Sequence, residues 1–291
     1  MRFRIYLLLS AACWVALTRT VLTSSASAAF EHSTDAVTAS SNESNHHQYF
    51  PKSQIVLDLA ILSGSVYQLS HEGVSCHDRS NTKKLVLPKG SECLHYSHDL
   101  QLGTQVLVVR STIHHYVAVS YAGTDDWTTF STDGNAILSD FGPAHTMMDD
   151  ESSYKENFMS IFNNVPGGIG VHRGFNNAVF NSDLFPVLMK CVTLARLGGA
   201  CCHDEDGGTG GCVEGEDDDI PTSNSSAPYQ LFTTGHSLGA ANAVLLGAAL
   251  HLAYPDEEIR SVNFGCPKIG STPWMEWVNS LQPDRKGVES R

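Results

Sequence analysis

The pentapeptide GHSLG at residues 235–239 contains a serine at a spacing that could support covalent chemistry. A serine hydroxyl attacks a carbonyl carbon when a base removes its proton, and the product is an acyl-enzyme. The apolar run at 229–234 predicts a short buried strand, and the Ala- and Leu-rich run at 240–252 predicts a helix. The sharp turn between them would force Ser237 outward. Its two glycines are needed because a Cβ there would collide with the adjoining strand or helix.

The start of the predicted helix adds an electrostatic reason for reactivity at this turn. Its backbone N–H groups point toward the reacting centre and favour developing negative charge. A bare G-x-S-x-G pattern arises by chance in about 0.1 of chains of this length. A tight turn with a solvated serine is therefore the alternative interpretation, and the flanking strand and helix favour the nucleophile.

Three other segments, together with the pentapeptide, resemble the motifs of one enzyme family. They are VAVSYAGTDDW at 117–127, VHRGF at 171–175 and NFGCPKIG at 263–270. In content and order they are similar to the motifs of the fungal-type (class 3) lipase family, over about residues 52 to 280. The resemblance implies an α/β-hydrolase fold, an α/β class in which a mostly parallel central sheet is flanked by helices. The C-terminal part of that fold would be lacking.

The resemblance also implies a role for individual residues. Ser237 is the expected nucleophile, and Thr124 with the backbone N–H of Leu238 is the expected oxyanion hole. His172 is expected to be structural rather than a proton carrier. Ala122 replaces an arginine that is usual in the family, so an ion pair that would anchor the oxyanion loop is absent. The other residues of the expected nucleophile elbow are Gly235, His236 and Gly239.

A catalytic acid and a histidine should follow the nucleophile in this fold, in that order. Only 291 − 237 = 54 residues follow Ser237, and their one histidine is His251. His251 falls in the predicted elbow helix, about 20 Å along at roughly 1.5 Å per residue, so it cannot be the base. No histidine follows Asp284, the one late aspartate, so the triad Asp and His are not identifiable. Two explanations stay open: a truncated form of a working lipase, or a short chain that is a hydrolase in ancestry only.

These patterns predict a lipase-like hydrolase of triacylglycerol or a related carboxylic ester, which is secreted or lies in the endomembrane lumen. The alternatives are a catalytically impaired homologue that only binds lipid, and a phospholipase or feruloyl-type esterase, since one scaffold hosts many substrates. The expected partners are the ester substrate and a lipid–water interface. We expect no cofactor and no metal. The net charge of −13, with only 18 Lys and Arg, argues against nucleic acid.

The chain divides into four predicted segments. Residues 1–28 predict a secretory signal peptide, with a charged start, an apolar stretch and a small-residue cleavage site. Residues 29–51 predict a flexible lead-in, and residues 52–291 one hydrolase domain. An insertion at 198–228 has eight acidic residues, no basic ones and seven glycines, which predicts a solvated loop.

Helical spacing predicts a packing helix at 53–69, and apolar runs predict strands at 105–112 and 116–122. In the family, the segment after the oxyanion turn is a mobile lid, here about 125–141; a fixed surface helix is the alternative. Export makes disulfides expected. The pairs considered are Cys76 with Cys93, and Cys191 with one of Cys201, Cys202 or Cys212, while Cys266 is expected in the core. Asn42 and Asn224 fit short glycosylation patterns.

Overall fold

The described part of the chain contains seven strands and five α-helices. The computed structural model describes residues 52–70, 85–99, 102–123, 137–143, 160–180, 184–201 and 227–281. The strands there are β1 (Ser91–Asp99), β2 (Thr104–Ser111), β3 (Tyr116–Tyr121), β4 (Leu138–Asp140), β5 (Gly170–His172), β6 (Gln230–His236) and β7 (Ile259–Phe264). The helices are α1 (Ser53–Ser70), α2 (Arg173–Phe180), α3 (Leu184–Arg196), α4 (Leu238–Ala253) and α5 (Thr272–Ser280), with a 3-10 turn at Ser160–Asn164.

The main sheet has the strand order β1-β2-β3-β6-β7. The β1, β2 and β3 strands are antiparallel neighbours, whereas β3, β6 and β7 run parallel. Short turns join the first three strands and permit only antiparallel pairing, while the parallel strands are joined by long crossovers such as α4. The α/β class is confirmed. The described sheet is mixed, although the sequence predicted a mostly parallel one.

Each face of the sheet packs against helices. One face lies against α1, where Leu59, Leu62 and Val66 are fully buried, as their helical spacing predicted. Side chains alternate between the two faces along each strand. Because β2 and β3 contain consecutive apolar residues, both of their faces are apolar. The set facing α1 includes Leu107, Val109, Ala118 and Phe232, and the set facing α2, α3 and α4 includes Val106, Val108, Val117 and Val119.

The α4 helix is buried over most of its length. Every residue from Leu238 to Leu250 is buried, because the helix lies against β6 and β7 on one side and α2 on another. A helix that is apolar all round is stable only in such an interior position. It gives the turn that precedes it a rigid support.

The two cysteine predictions and the lid prediction are only partly tested by the described residues. Cys191 is disulfide-bonded to Cys201, one of the three partners considered. Cys93 is also disulfide-bonded, but Cys76 lies outside the described residues. The lid prediction is wrong at its C-terminal end, since residues 138–140 form β4 paired with β5. Phe141 is buried there against Trp274, with ring centroids 4.8 Å apart.

Several predicted features fall outside the described residues. They are the signal peptide at 1–28, the lead-in at 29–51, most of the lid, most of the acidic insertion, Asn42, Asn224 and Asp284. Within the described chain, no single helix is long and apolar enough to cross a bilayer. The bent pair α2 and α3 meets that test by length and composition alone.

Candidate active site

Ser237 stands at the junction of β6 and α4 in a strained backbone conformation. Its φ is 55° and its ψ is −124°. Residues other than glycine rarely adopt this backbone conformation. The Ser237 N–H donates a 2.9 Å hydrogen bond to the carbonyl of Phe264 at the end of β7. Its side chain makes no capping hydrogen bond to α4. Ser237 is half-buried. Because it follows β6, it lies at the carboxyl edge of the parallel strands, where ligands bind in open α/β sheets.

The two glycines of the pentapeptide have no room for a side chain. A Cβ on Gly235 would lie 2.5 Å from the carbonyl carbon of Gly239. A Cβ on Gly239 would lie 2.6 Å from the carbonyl carbon of Ala122 and would also overlap the carbonyl oxygen of Tyr121. These are backbone atoms of the adjoining helix and strand, which is the crowding that the sequence predicted.

The end of β3 lies beside the first turn of α4. A Cβ built on Gly123 would be 3.5 Å from the backbone nitrogen of Leu238 and 3.0 Å from the carbonyl oxygen of His236. Thr124, the residue after Gly123, lies outside the described residues. The N–H of Leu238 belongs to the positive end of a 16-residue helix. Negative charge developing between Ser237 and this edge would be stabilised there.

Tyr67, which the sequence analysis did not select, joins these two segments. Its hydroxyl accepts a 2.7 Å hydrogen bond from the N–H of Gly123. The same oxygen is 3.4 Å from the carbonyl oxygen of His236 and 3.5 Å from its ring Nδ1. The sequence indicated only that Tyr67 lies near the end of a packing helix. Many residues without a functional role occupy such positions, so Tyr67 could not be selected from the sequence.

The His236 ring lies beside the elbow, between α1 and the start of the loop after β7. A Cβ on Gly265 would be 3.8 Å from its Nε2. Burial lowers the pKa of His236 below its ordinary value of 6.5. The ring is therefore neutral at pH 7 and carries one donor and one acceptor nitrogen.

His172 and His251, the other two histidines considered from the sequence, each take part in local hydrogen bonds. The Nδ1 of His172 accepts a 3.2 Å hydrogen bond from the Gly174 N–H, and its backbone N–H donates to Ile269. Burial and then the charge of Arg173 lower the His172 pKa. His251 occupies the far end of α4, and burial lowers its pKa although a hydrogen bond with the Leu281 backbone opposes the shift. No group of three or more His, Cys, Asp or Glu in the described chain could hold a metal ion.

Ala122 and Cys266 flank the elbow on either side. Ala122 is 4% exposed, and its N–H donates a 3.1 Å hydrogen bond to the carbonyl of Gln105. Cys266 is half-buried against the larger core rather than fully inside it. It is free, its thiol donates to the carbonyl of Pro267, and burial raises its pKa to about 12. The thiol is therefore protonated and unreactive at pH 7.

A family model for lipase (class 3) matches residues 119–289, more than half of the chain. That range runs from the last residues of β3 through the elbow and past α5. The chain belongs to the class 3 lipase family. No curated protein matches the sequence.

Several solved lipase structures are similar to this class 3 lipase family member. The lipase of Rhizopus microsporus var. chinensis is 19% identical with a TM-score of 0.49, and the match covers 78% of this chain and 62% of that one. Lipase II of Rhizopus niveus is 22% identical, with a TM-score of 0.48 and coverage of 78% and 67%. Lip2 lipase of Yarrowia lipolytica is 19% identical, with a TM-score of 0.49 and coverage of 81% and 68%. The chain thus spans less than two thirds of the first of these lipases.

Proposed function

We propose that Ser237 is the nucleophile of a carboxylic ester hydrolase that acts on lipid esters. The observation that supports this most directly is the strained Ser237 backbone, φ 55°, held between two glycines that cannot carry a Cβ. Backbone strain of this kind persists only where the surroundings impose it, and it concentrates at functional sites. Membership of the class 3 lipase family supports the same reaction class.

The proposed reaction is acyl transfer in two steps. The Ser237 oxygen attacks the ester carbonyl carbon while a base takes its proton, and the carbonyl oxygen becomes an oxyanion. The Leu238 N–H and Thr124 are the proposed donors to that oxyanion. The alcohol leaves with the proton returned by the base, and water then hydrolyses the acyl-enzyme by the same route.

The base in this scheme has no counterpart after Ser237 in the printed sequence. The one histidine there is His251, at the opposite end of α4. A serine without a histidine partner retains little of its reactivity, because loss of either group disables the pair. We therefore expect the 291-residue chain to turn over esters at a residual rate only, and an added imidazole to supply part of the missing base.

Ester hydrolysis with and without imidazole tests this proposal. The full chain, exported through a secretory host, would be assayed on a short-chain nitrophenyl ester beside Ser237→Ala. We expect the two proteins to be alike without imidazole, and only the wild type to exceed the imidazole background when it is added. If folded wild type and Ser237→Ala remain alike at every imidazole concentration, the proposal fails. Turnover at ordinary enzymatic rates without imidazole would contradict the residual-rate expectation.

A second function, lipid binding without catalysis, is supported by one surface feature. Ile137 and Leu138 are 48% and 49% exposed just before and at the start of β4. Apolar side chains at a surface can insert into a lipid–water interface. Sedimentation with phosphatidylcholine vesicles, compared with Ile137→Ser, separates the two functions. Binding that persists in Ser237→Ala, with no imidazole-dependent hydrolysis in the wild type, would favour the binding protein.

Export through the secretory pathway is part of the proposal. It is supported by the charged and apolar composition of residues 1–28 and by the Cys191–Cys201 disulfide, which suits an oxidising compartment. N-terminal sequencing of the secreted product tests it. A start near residue 29 is expected, and retention of Met1 on a secreted product would contradict it.

A further inference from the structure

We infer that Tyr67 is a positioning residue that fixes the end of β3, at Gly123, against the first turn of α4 beside Ser237. The inference rests on the proposed function, and it concerns a residue on α1, far from the elbow in sequence. Tyr67 does not contact the substrate in this scheme. It acts through Gly123, the residue that precedes Thr124.

The Gly123 N–H depends on Tyr67 because the sheet has already ended at this point. The β2–β3 ladder ends with Val106 opposite Tyr121, and the Ala122 N–H is used by the carbonyl of Gln105. Gly123 is buried and comes one residue later. The Tyr67 hydroxyl accepts its N–H at 2.7 Å. Without that acceptor a buried donor would be unsatisfied, which disfavours the present path of the chain.

The Tyr67 hydroxyl also contacts the residue before the nucleophile. It lies 3.4 Å from the carbonyl oxygen of His236, to which it can donate its proton while accepting from Gly123. One hydroxyl thus connects the strand end that leads to Thr124 with the residue that precedes Ser237. Both hydrogen bonds are partly buried, which makes them stronger than they would be in water.

The atoms around Gly123 are closely packed. A Cβ on Gly123 would overlap the Tyr67 hydroxyl and would lie 3.0 Å from the carbonyl of His236. The same point is 3.5 Å from the nitrogen of Leu238. A shift of Gly123 therefore moves the end of β3 relative to the Leu238 N–H, the described donor of the proposed oxyanion site. Errors of about 1 Å in such an arrangement cost about 100-fold in rate.

The test uses Tyr67→Phe, which removes the hydroxyl and keeps the ring. The matched control is Tyr96→Phe on β1, whose buried hydroxyl has no hydrogen-bond partner among the described residues. Both variants and the wild type would react with a fluorophosphonate in the presence of imidazole. The measured quantities are the apparent binding constant KI and the rate constant kinact for modification of Ser237, with thermal unfolding recorded in parallel.

We expect kinact to fall about 10- to 100-fold in Tyr67→Phe, while KI stays within about twofold of the wild type. Tyr96→Phe should match the wild type in both constants. A residue that only stabilises the fold would lower Tm without changing kinact at temperatures where the variant is folded. Equal kinact in wild type and Tyr67→Phe would overturn the inference.

A second variant tests the same contact from the other side. Gly123→Ala brings a Cβ against the Tyr67 hydroxyl, so it should also lower kinact. The double variant Tyr67→Phe/Gly123→Ala removes the overlapping oxygen. Its loss should be smaller than the product of the two single losses, because neighbouring residues that share a contact are not additive. Fully multiplicative losses would contradict the direct contact.

Hydrogen exchange of the Gly123 amide separates failure of this inference from failure of the proposed function. If Ser237 of the wild type is not modified at all, the proposed function fails and the kinetic test is lost. The amide should still exchange at least about tenfold faster in Tyr67→Phe than in Tyr96→Phe, since its acceptor is gone. Equal exchange in the two variants would overturn the positioning of Gly123 by Tyr67, whatever the activity.

Discussion

Gly239, in the first turn of α4, lies directly against the carbonyl group of Tyr121 at the end of β3. An added Cβ would overlap that oxygen and would lie 2.7 Å from the carbonyl oxygen of Ala122, so neither neighbour can rotate away. We predict that Gly239→Ala lowers the free energy of unfolding by about 1–3 kcal/mol and slows modification of Ser237. Urea unfolding measures the first effect.

The control for this substitution is Gly167→Ala. Gly167 has no atom within 4 Å of an added Cβ and does not have a positive φ. Its replacement should change stability by less than about 1 kcal/mol, with a small gain from the stiffer unfolded chain. Equal losses in the two variants would mean that the contact of Gly239 with β3 does not limit the elbow.

The buried carboxylate of Asp58 gives a second prediction. Asp58 is 2% exposed and accepts hydrogen bonds from Gln54 at 2.9 Å and from the Tyr116 hydroxyl at 3.2 Å. Asp58→Ala leaves the buried Tyr116 hydroxyl without its acceptor and should cost about 1–3 kcal/mol of stability. Glu92→Ala is the comparison, because the Glu92 side chain is 50% exposed beside Arg110 and such pairs contribute about 0–1 kcal/mol. A larger loss in Glu92→Ala than in Asp58→Ala would contradict this ranking.

The Cys191–Cys201 disulfide should stabilise the end of α3. The two cysteines are 10 residues apart and are both buried. Closing a loop of this size restricts the unfolded chain and contributes about 2.5 kcal/mol. The variant Cys191→Ala/Cys201→Ala should therefore show a lower midpoint in guanidinium unfolding under oxidising conditions. The same midpoint as the wild type would show that the cross-link contributes nothing to stability.

Acid should destabilise the fold partly through its half-buried histidine His251. Burial lowers the pKa of His251 below 6.5 in the folded chain. Between that lowered value and 6.5 the unfolded chain binds more protons, so stability is full above about 6.5 and is lost as the pH falls. His251→Gln should reduce the loss of unfolding free energy between pH 7.5 and pH 5. The comparison with wild type cancels the contribution of the carboxylates, and parallel curves would contradict the prediction.

The sequence predicted the parts of the fold that depend on local pattern. The spacing of Leu59, Leu62 and Val66 predicted α1, because one apolar face must pack on the sheet. The apolar run before Ser237 predicted β6, and the glycines around it predicted the turn. The resemblance to class 3 lipases added the order of these elements and the expected role of each motif.

What the sequence did not predict depends on contacts between distant segments. Tyr67 and Gly123 are 56 residues apart, and nothing in the pattern around either residue indicates that they meet. The mixed sheet arises because short connections force β1, β2 and β3 to pair antiparallel. Hydrophobic periodicity does not specify which strands pair or in which direction. Residues 138–140 were assigned to a lid because the resemblance to class 3 lipases places a lid after the oxyanion turn, whereas the structure pairs these residues with β5.

The position of modification by a fluorophosphonate tests the central claim most directly. Folded and urea-unfolded full chains would be treated with the reagent in the presence of imidazole, digested, and analysed by peptide mass spectrometry. The account predicts that the phosphonate is found on Ser237 of the folded chain and not at comparable levels on other serines or on the unfolded chain. Equal labelling of Ser237 in the folded and unfolded chains, or labelling of other serines instead, would contradict it.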